Sequence, residues 1–374
     1  MLAQDNRIVH LTTGHQASDT RIFHKQINAL VKAGYNVTLI AQNDANAASP
    51  GVRIIALASP KNRTSRFVGL AIRALRLAIH QHADVYHFHD PELLGIVLPL
   101  KLLTRGKIIY DVHENVRQQI LGKLWIPKLL RRSISLAFGI FEKIVSIFCD
   151  AVVPATENIA EVMPHRHSMV IHNYPDLGMF RAEGERMHGG DKHLLYVGGI
   201  SHSRGILEMI AALEQNATNG SPVRLELIGR FSSRELDAKV QCLPGYKYVD
   251  YQGVLPWDEA WEHANNAIAG LVLFHPGPNH TESLPNKLFE YMAMGLPVIA
   301  SNFPLWRRIV EDNHCGLTVN PLDPDDIVRA IRYVTTHPEE ATAMGFNGRH
   351  AVEKLYNWEA ESTKLLQLYE RILS

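Results

Sequence analysis

Short apolar runs and amphipathic stretches alternate along nearly the whole chain. Residues 7–13 hold Ile8, Val9 and Leu11 in a run too short for a helix, which predicts a buried strand. A polar loop, 14–20, follows. Over 21–33 the apolar residues Ile22, Phe23, Ile27, Leu30 and Val31 fall at helical spacing, and Gly34 ends the pattern. Residues 37–41 give the next strand. This is a βαβ unit whose loop lies at the carboxyl end of a strand, where doubly wound sheets bind ligands. Further strands are predicted at 52–57, 85–88, 107–110, 151–154 and 170–172, with helices at 67–82, 93–103, 124–148 and 157–163. Residues 173–192 carry Asn173, Pro175, Gly178, Gly184, Gly189 and Gly190 among mixed charges and read as a linker. The alternation then restarts. Strands are predicted at 193–197, 224–228, 248–252, 270–274, 298–300 and 316–319. Helices are predicted at 206–214, 257–265, 285–294, 304–311, 324–335 and from 338 onward, with an amphipathic helix at 358–373. The pattern predicts an α/β protein with two consecutive parallel domains, 1–180 and 193–355, and a final segment 356–374.

Composition narrows the class. The 374 residues are 46% hydrophobic and 20% charged, enough for two packed cores. Cys149, Cys242 and Cys315 are scattered and odd in number, which fits a reducing compartment rather than a disulfide framework. No cysteine or histidine spacing of metal-site type appears, so no metal is expected. No apolar run approaches the ~18 residues of a transmembrane helix, and no signal peptide is recognisable. The formal net charge of zero conceals an asymmetry. Residues 1–181 hold 21 basic and 13 acidic side chains, leaving 17 and 25 for the remainder. A basic first half predicts an anionic partner for that half.

The most informative stretch is 281–301, TESLPNKLFEYMAMGLPVIAS. Pro285 suits the first turn of a helix and Gly295 its end. Such a helix would leave free N–H groups near Ser283, Leu284 and Lys287, an arrangement that favours phosphate. Glu282 lies at the mouth of that site, and Glu290 lies more than a turn inside the helix.

This stretch resembles the Glu-x7-Glu motif of retaining glycosyltransferases of the GT-B fold, family 4 (group 1). The resemblance covers nearly the whole chain. It implies two Rossmann-like domains facing a central cleft, with the last helix crossing back to the N-terminal one. It places Glu282 by the transferred sugar and Glu290 on the ribose of the nucleotide. Tyr196–Ser201 with Arg204-Gly205 resembles the segment where an Arg and a Lys usually meet the diphosphate. Gly199 stands at the usual Arg position and Arg204 at the Lys position, so Lys287 is expected to make up the missing charge. Gln252-Gly253 resembles the loop under the base. Arg230, after another strand, reads as a neighbour of phosphate or base, or as an exposed residue.

In the first half, the loop at Gly14 replaces a Gly-Gly phosphate loop, and Asp19 reads chiefly as a helix cap. His89 and Asp90 end one predicted strand, and His113 ends the next. His113 matches the family's histidine near the sugar. Glu282 and His113 are therefore the catalytic candidates, and His89, Asp90, Asp19 and Arg230 are secondary ones. The function expected by resemblance is transfer of a sugar from a UDP- or GDP-linked donor, with no cofactor and no metal. The acceptor would be lipid-linked or a saccharide in exopolysaccharide, capsule or lipopolysaccharide assembly. A sugar-nucleotide epimerase and a non-catalytic donor-binding scaffold are the alternatives. Basic amphipathic stretches at 61–82 and 117–132 read either as solvated helix faces or as contacts with an anionic membrane. The expected location is cytoplasmic, peripheral at the inner membrane face. Nucleic-acid motifs are missing.

Overall fold

The computed structural model describes residues 6–42, 50–58, 69–123, 126–180, 193–277 and 279–374. Lys61, Arg63, Arg66, Trp125 and most of the expected linker lie outside the described residues. The chain divides into two compact units, 1–173 with 358–374 and 174–357.

Unit 1 is built on a six-stranded sheet with order β3-β2-β1-β4-β5-β6. Its strands are β1 (Arg7–Gln16), β2 (Asn36–Gln42), β3 (Val52–Leu57), β4 (Val85–Phe88), β5 (Lys107–Val112) and β6 (Ala151–Pro154). All neighbours pair in parallel. The strand order reverses between β1 and β4, which makes their carboxyl ends the switch point of the sheet. The helices are α1 (Asn28–Lys32), α2 (Ala71–Ile79), α3 (Val97–Leu103), α4 (Val116–Gly122), α5 (Lys128–Ser146) and α6 (Glu157–Val162). The helix expected at 21–33 begins instead as a π-helix, Thr20–Ile27. Residues 170–172 form no strand of the sheet; Ile171 donates to the Pro154 carbonyl at 3.0 Å beside β6.

The period of two along each strand sorts the side chains. Val9 and Leu11, Tyr86 and Phe88, and Ile108 and Tyr110 enter one apolar layer. Ile8, Val85 and Ile109 enter the opposite layer. On that second face the next positions toward the carboxyl ends are His10, His87, His89, Asp111 and His113. The C-terminal helix, Trp358–Leu373, covers this layer with Trp358, Leu365, Leu368, Tyr369 and Ile372. Burying each such side chain is worth about 1.5–3 kcal/mol, so this helix is a structural part of unit 1.

Unit 2 repeats the plan with order β12-β11-β10-β7-β8-β9. Its strands are β7 (His193–Val197), β8 (Arg224–Ile228), β9 (Val249–Gly253), β10 (Ala267–Val272), β11 (Val298–Ser301) and β12 (Gly316–Val319). The switch point lies between β7 and β10. The helices are α7 (Ile206–Thr218), α8 (Arg234–Gln241), α9 (Trp257–Glu262), α10 (Asn286–Ala293), α11 (Pro304–Asp312), α12 (Pro324–Thr336) and α13 (Pro338–Lys354). Helix α8 has no counterpart among the expected elements. The first domain was expected to run to 180, but Tyr174 and Phe180 belong to the core of unit 2. Tyr174 packs edge-on against Phe289 and Tyr356, and Phe180 against Trp257 and Trp261.

Candidate active site

In unit 2 the chemistry gathers at the carboxyl ends of β7 and β10. Three glycines shape the floor. Gly198, Gly229 and Gly253, at the ends of β7, β8 and β9, all have positive φ. A Cβ on Gly229 would fall 1.9 Å from the Gly198 carbonyl oxygen, so the first two loops meet backbone to backbone. Gly253 accepts from the Gly229 N–H. Above this floor lie two cations. Arg204 donates through Nη1 to the Gly199 carbonyl at 2.9 Å, and Tyr196 donates its hydroxyl to the same oxygen at 2.7 Å. A Cβ on Gly199 would come within 2.7 Å of that Nη1, so the Arg204 guanidinium occupies the space a side chain at 199 would fill.

The second cation is Lys287, on the first turn of α10. Its Nζ lies 3.6 Å from the centre of the Tyr196 ring, and Arg204 and Lys287 both lie by the Phe274 ring, at 5.4 and 5.6 Å. The Nζ is buried and, among the described residues, without a hydrogen-bond partner. Burial and, after it, the nearby Arg204 hold its pKa well below the ordinary lysine value, against the pull of Glu290. A buried amine with no partner facing a second cation is a site prepared for an anion.

Pro285 occupies the N-cap position, with ψ 129°, rather than the first helical position, and no side chain caps α10. The preceding loop is anchored: Trp306 Nε1 donates to the Ser283 carbonyl at 2.7 Å, and the Ser283 hydroxyl donates to the His280 carbonyl at 3.0 Å. Glu282 is exposed on this loop, Leu284 and Glu290 are half-buried, and Arg230 is exposed. The structure thus brings Gly199, Arg204, Ser283, Leu284 and Lys287 around one short helix start. Arg230 contributes its backbone, accepting from the Ile200 N–H at 2.9 Å.

In unit 1 the carboxyl ends of β1, β4 and β5 form a second centre, organised by Asp111. This fully buried carboxylate accepts from Arg21 Nε at 3.1 Å and Nη2 at 2.8 Å. It also accepts from Gln26 Nε2 at 2.7 Å and His89 Nδ1 at 3.0 Å. His113 Nε2 lies 3.4 Å away. Burial alone would raise the Asp111 pKa, but the Arg21 guanidinium, His113 and the hydrogen bonds from His89 and Arg21 keep it well below the carboxylate range. His113 is partly exposed. Burial lowers its pKa to about 4, outweighing the attraction of Asp111, so it is neutral near pH 7.

Asp90 serves the backbone. Its Oδ2 accepts from Thr12 Oγ1 at 2.7 Å, Thr13 N at 2.6 Å and Gly14 N at 3.0 Å. The Gly14 N–H, expected to face a diphosphate, is therefore already engaged. Asp19 caps the π-helix, accepting from Arg21 N at 2.9 Å and Ile22 N at 3.0 Å. Its other oxygen holds His15 Nδ1 at 3.0 Å. Burial depresses the His15 pKa, but the Asp19 hydrogen bond and the charges of Asp90, Asp19 and Glu114 outweigh it and raise the value to about 9. His15 stacks on His113 with centroids 5.4 Å apart. A charged histidine thus lies against a neutral one.

Sequence reasoning did not single out His15, Arg21, His10 and Tyr369, and read Asp111 only as the acid at the strand end that carries His113. The readable signal was His or Asp at alternating positions near three strand ends. Two trios, His10-His87-His89 and His89-Asp111-His113, have ligand atoms close enough to share a metal ion. Most of their nitrogens are instead engaged in hydrogen bonds with one another, with Asp111 or with Tyr369, His87 Nε2 excepted. His10 Nδ1 and His89 Nε2 are 2.8 Å apart, the rings stack, and Arg21 stands on Asp111. The donor set fits a hydrogen-bonded network better than a cation site.

Two family models match the chain in succession: "Glycosyltransferase Family 4" over residues 20–177 and "Glycosyl transferases group 1" over 182–351. A phosphatidyl-myo-inositol mannosyltransferase of Mycobacterium leprae is 23% identical over 362 residues, covering 86% of this chain and 88% of its own. Among solved structures, the sucrose-phosphate synthase of Thermosynechococcus elongatus superposes with a TM-score of 0.79 at 20% identity, over 98% and 99% of the two chains. Anabaena Alr3699/HepE, solved in complex with UDP and glucose, gives 0.72 at 13% identity, over 98% and 100%.

Proposed function

The chain belongs to the group 1 glycosyltransferases of the GT-B fold, and from that premise we propose that it is a retaining, metal-independent enzyme using a nucleoside diphosphate sugar. The observation that carries this reading is the pair Arg204 and Lys287, set around Gly198-Gly199 at the uncapped start of α10. Breaking the bond from the anomeric carbon to the diphosphate leaves the electron pair on a phosphate oxygen. Two cations and a helix start are suited to stabilise that charge without a metal. The acceptor oxygen bonds to the anomeric carbon on the same face, and its proton passes to the departing phosphate. Glu282 is assigned to orient sugar hydroxyls and to stabilise the oxocarbenium-like charge, Glu290 to hold the ribose, and Gly253 to border the base. His113, neutral and backed by Asp111, is the catalytic candidate within unit 1. The Anabaena neighbour's UDP favours a UDP-linked sugar.

The acceptor reading rests on α5. Its buried stripe is small or polar (Ser135, Gly139, Glu142, Ser146, with Val145), while Leu129, Leu130, Ile134, Leu136, Ile140, Phe141, Ile144, Ile147 and Phe148 in and just beyond it are exposed. Arg132 and Lys143 flank them. An exposed apolar face with basic neighbours suits the interface of an anionic bilayer. This shifts the expected contact from 117–132 toward 129–148. No helix among the described residues is long and apolar enough to cross a membrane. The proposed acceptor is accordingly lipid-linked, in surface polysaccharide assembly at the inner membrane face. A thermal-shift screen of UDP-, GDP- and ADP-sugars tests the donor. Sedimentation with phosphatidylglycerol vesicles tests the surface, with Leu136→Asp/Ile140→Asp expected to stay in the supernatant. Stabilisation by no nucleotide sugar, or sedimentation of that double variant, would overturn the corresponding part.

A further inference from the structure

Two loops of the unit 2 site, one carrying Arg204 and one carrying Glu282, are joined at their bases. Gly205 opens α7 with φ 74° and lies flat against the chain just past β10, where a Cβ would fall 2.2 Å from the Leu273 carbonyl oxygen. Two residues beyond Leu273, the His275 N–H donates to the Ser203 carbonyl at 2.9 Å. The His275 side chain reaches α7: its Nε2 lies 3.0 Å from Oε2 of Glu208, on the first turn of that helix. The rings of His275 and His202 meet edge to face, with centroids 5.0 Å apart. Both Nε2 and Oε2 are buried, and among the described residues neither makes a hydrogen bond elsewhere. Parting them would leave two buried polar atoms with no counterpart, so the contact holds the two loops together.

The loop that begins at His275 is closed on itself. His280 Nδ1 donates to the His275 carbonyl at 2.9 Å, and the Thr281 N–H and hydroxyl both donate to the Gly277 carbonyl at 3.2 Å. The Ser283 hydroxyl returns to the His280 carbonyl at 3.0 Å. Glu282 therefore stands between two anchored residues, in a loop whose base is His275. Arg204 stands between Ser203 and Gly205, the two residues that rest on the chain around Leu273 and His275. One joint thus fixes both side chains.

We propose that His275 and Glu208 are positioning residues for transfer: their contact registers Glu282, on the sugar, against Arg204, on the diphosphate. This deepens the donor reading given above and rests on its assignment of Glu282. The anomeric carbon is bonded to the diphosphate, so a carboxylate that orients the sugar must be placed relative to the cation that holds the phosphates. A displacement of about 1 Å in such a constellation can cost up to about 100-fold in rate.

The test is His275→Gln in the full chain, with Glu208→Gln as a second variant that serves if the first does not fold. The UDP dissociation constant, measured by calorimetry, should stay within about twofold of wild type, because Arg204 and Lys287 remain in place. With the sugar nucleotide selected by the thermal-shift screen, kcat should fall about tenfold and KM should hold. The double variant should be no slower than the worse single one, since both remove the same contact. Amides of His280, Thr281 and Ser283 should exchange with deuterium about tenfold faster in the free variant. Unchanged exchange at these amides overturns the joint. Faster exchange with kcat unchanged, or UDP affinity lost in proportion to kcat, overturns the positioning role and leaves a structural contact only. Full turnover in Glu282→Ala would refute the assignment of Glu282 instead, and the exchange measurement, which needs no turnover, would still read the joint.

Discussion

Replacing Lys287 by Met should move stability and ligand affinity in opposite directions. Among the described residues the buried Nζ of Lys287 has no hydrogen-bond partner, and the charge of Arg204 acts on it. Leaving such a group unsatisfied costs about 1–3 kcal/mol. Methionine fills nearly the same volume, so repacking should return only part of that gain. The free protein should gain about 1 kcal/mol, roughly 2–4 °C in the melting temperature of a domain this size. The pH dependence has a definite sign. A lysine whose pKa is lower in the folded state makes folding bind fewer protons, so its penalty is full at low pH and fades as pH rises toward the unfolded value of about 10.4. Wild-type stability should therefore approach that of Lys287→Met as pH rises. Diphosphate binding should reverse the balance. The protonated amine can make a charge-assisted hydrogen bond to the diphosphate worth about 1.5–3 kcal/mol, so the variant should bind UDP about 10- to 150-fold more weakly. Calorimetric titration of UDP into wild type and variant reads that difference directly. A less stable variant that binds UDP as tightly as wild type would refute the argument.

Three further outcomes are expected. Glu282→Ala should abolish transfer with the nucleotide dissociation constant almost unchanged, and Glu290→Ala should weaken nucleotide binding; the opposite pattern would exchange their roles. His15→Gln should remove stability that is fully present below about pH 6.5 and is lost as pH rises through about 9, so the difference between wild type and variant should shrink over that range; a flat difference refutes the His15–Asp19 pairing. Asp111→Asn should cost about 3–5 kcal/mol in urea unfolding, because it strips a buried Arg21 of its counter-charge. Since Asp111 is depressed in the folded state, its contribution should hold above about pH 4 and fade as pH falls further; a cost under 1 kcal/mol at pH 7 would contradict the network.

The alternation of strands and helices was legible because parallel α/β sheets bury continuous apolar strands and amphipathic helices, and both leave a period in the sequence. Helix α10 was legible because proline and glycine punctuate it. Other features depend on tertiary contact. Gly199 looked like a lost charge, yet only the fold shows that Arg204 fills its space. The Gly14 backbone looked available until Asp90, just beyond β4, took its N–H. Tyr369 was not singled out on the amphipathic last helix, and its hydroxyl finds a partner only where β1 and β4 set His10 opposite His87. Helix α5 was misjudged for a different reason. Burial of its small, polar stripe inverts the usual rule that the apolar face points inward.

The most direct test of the account is the anomeric configuration of the product. The protein would be incubated with UDP- and GDP-α-sugars and a membrane lipid extract, with chelator present, and the glycosylated lipid examined by NMR. Release of nucleoside diphosphate with an α-linked product is predicted. A β-linked product, a strict need for a divalent cation, or conversion of the sugar nucleotide without any acceptor would contradict it.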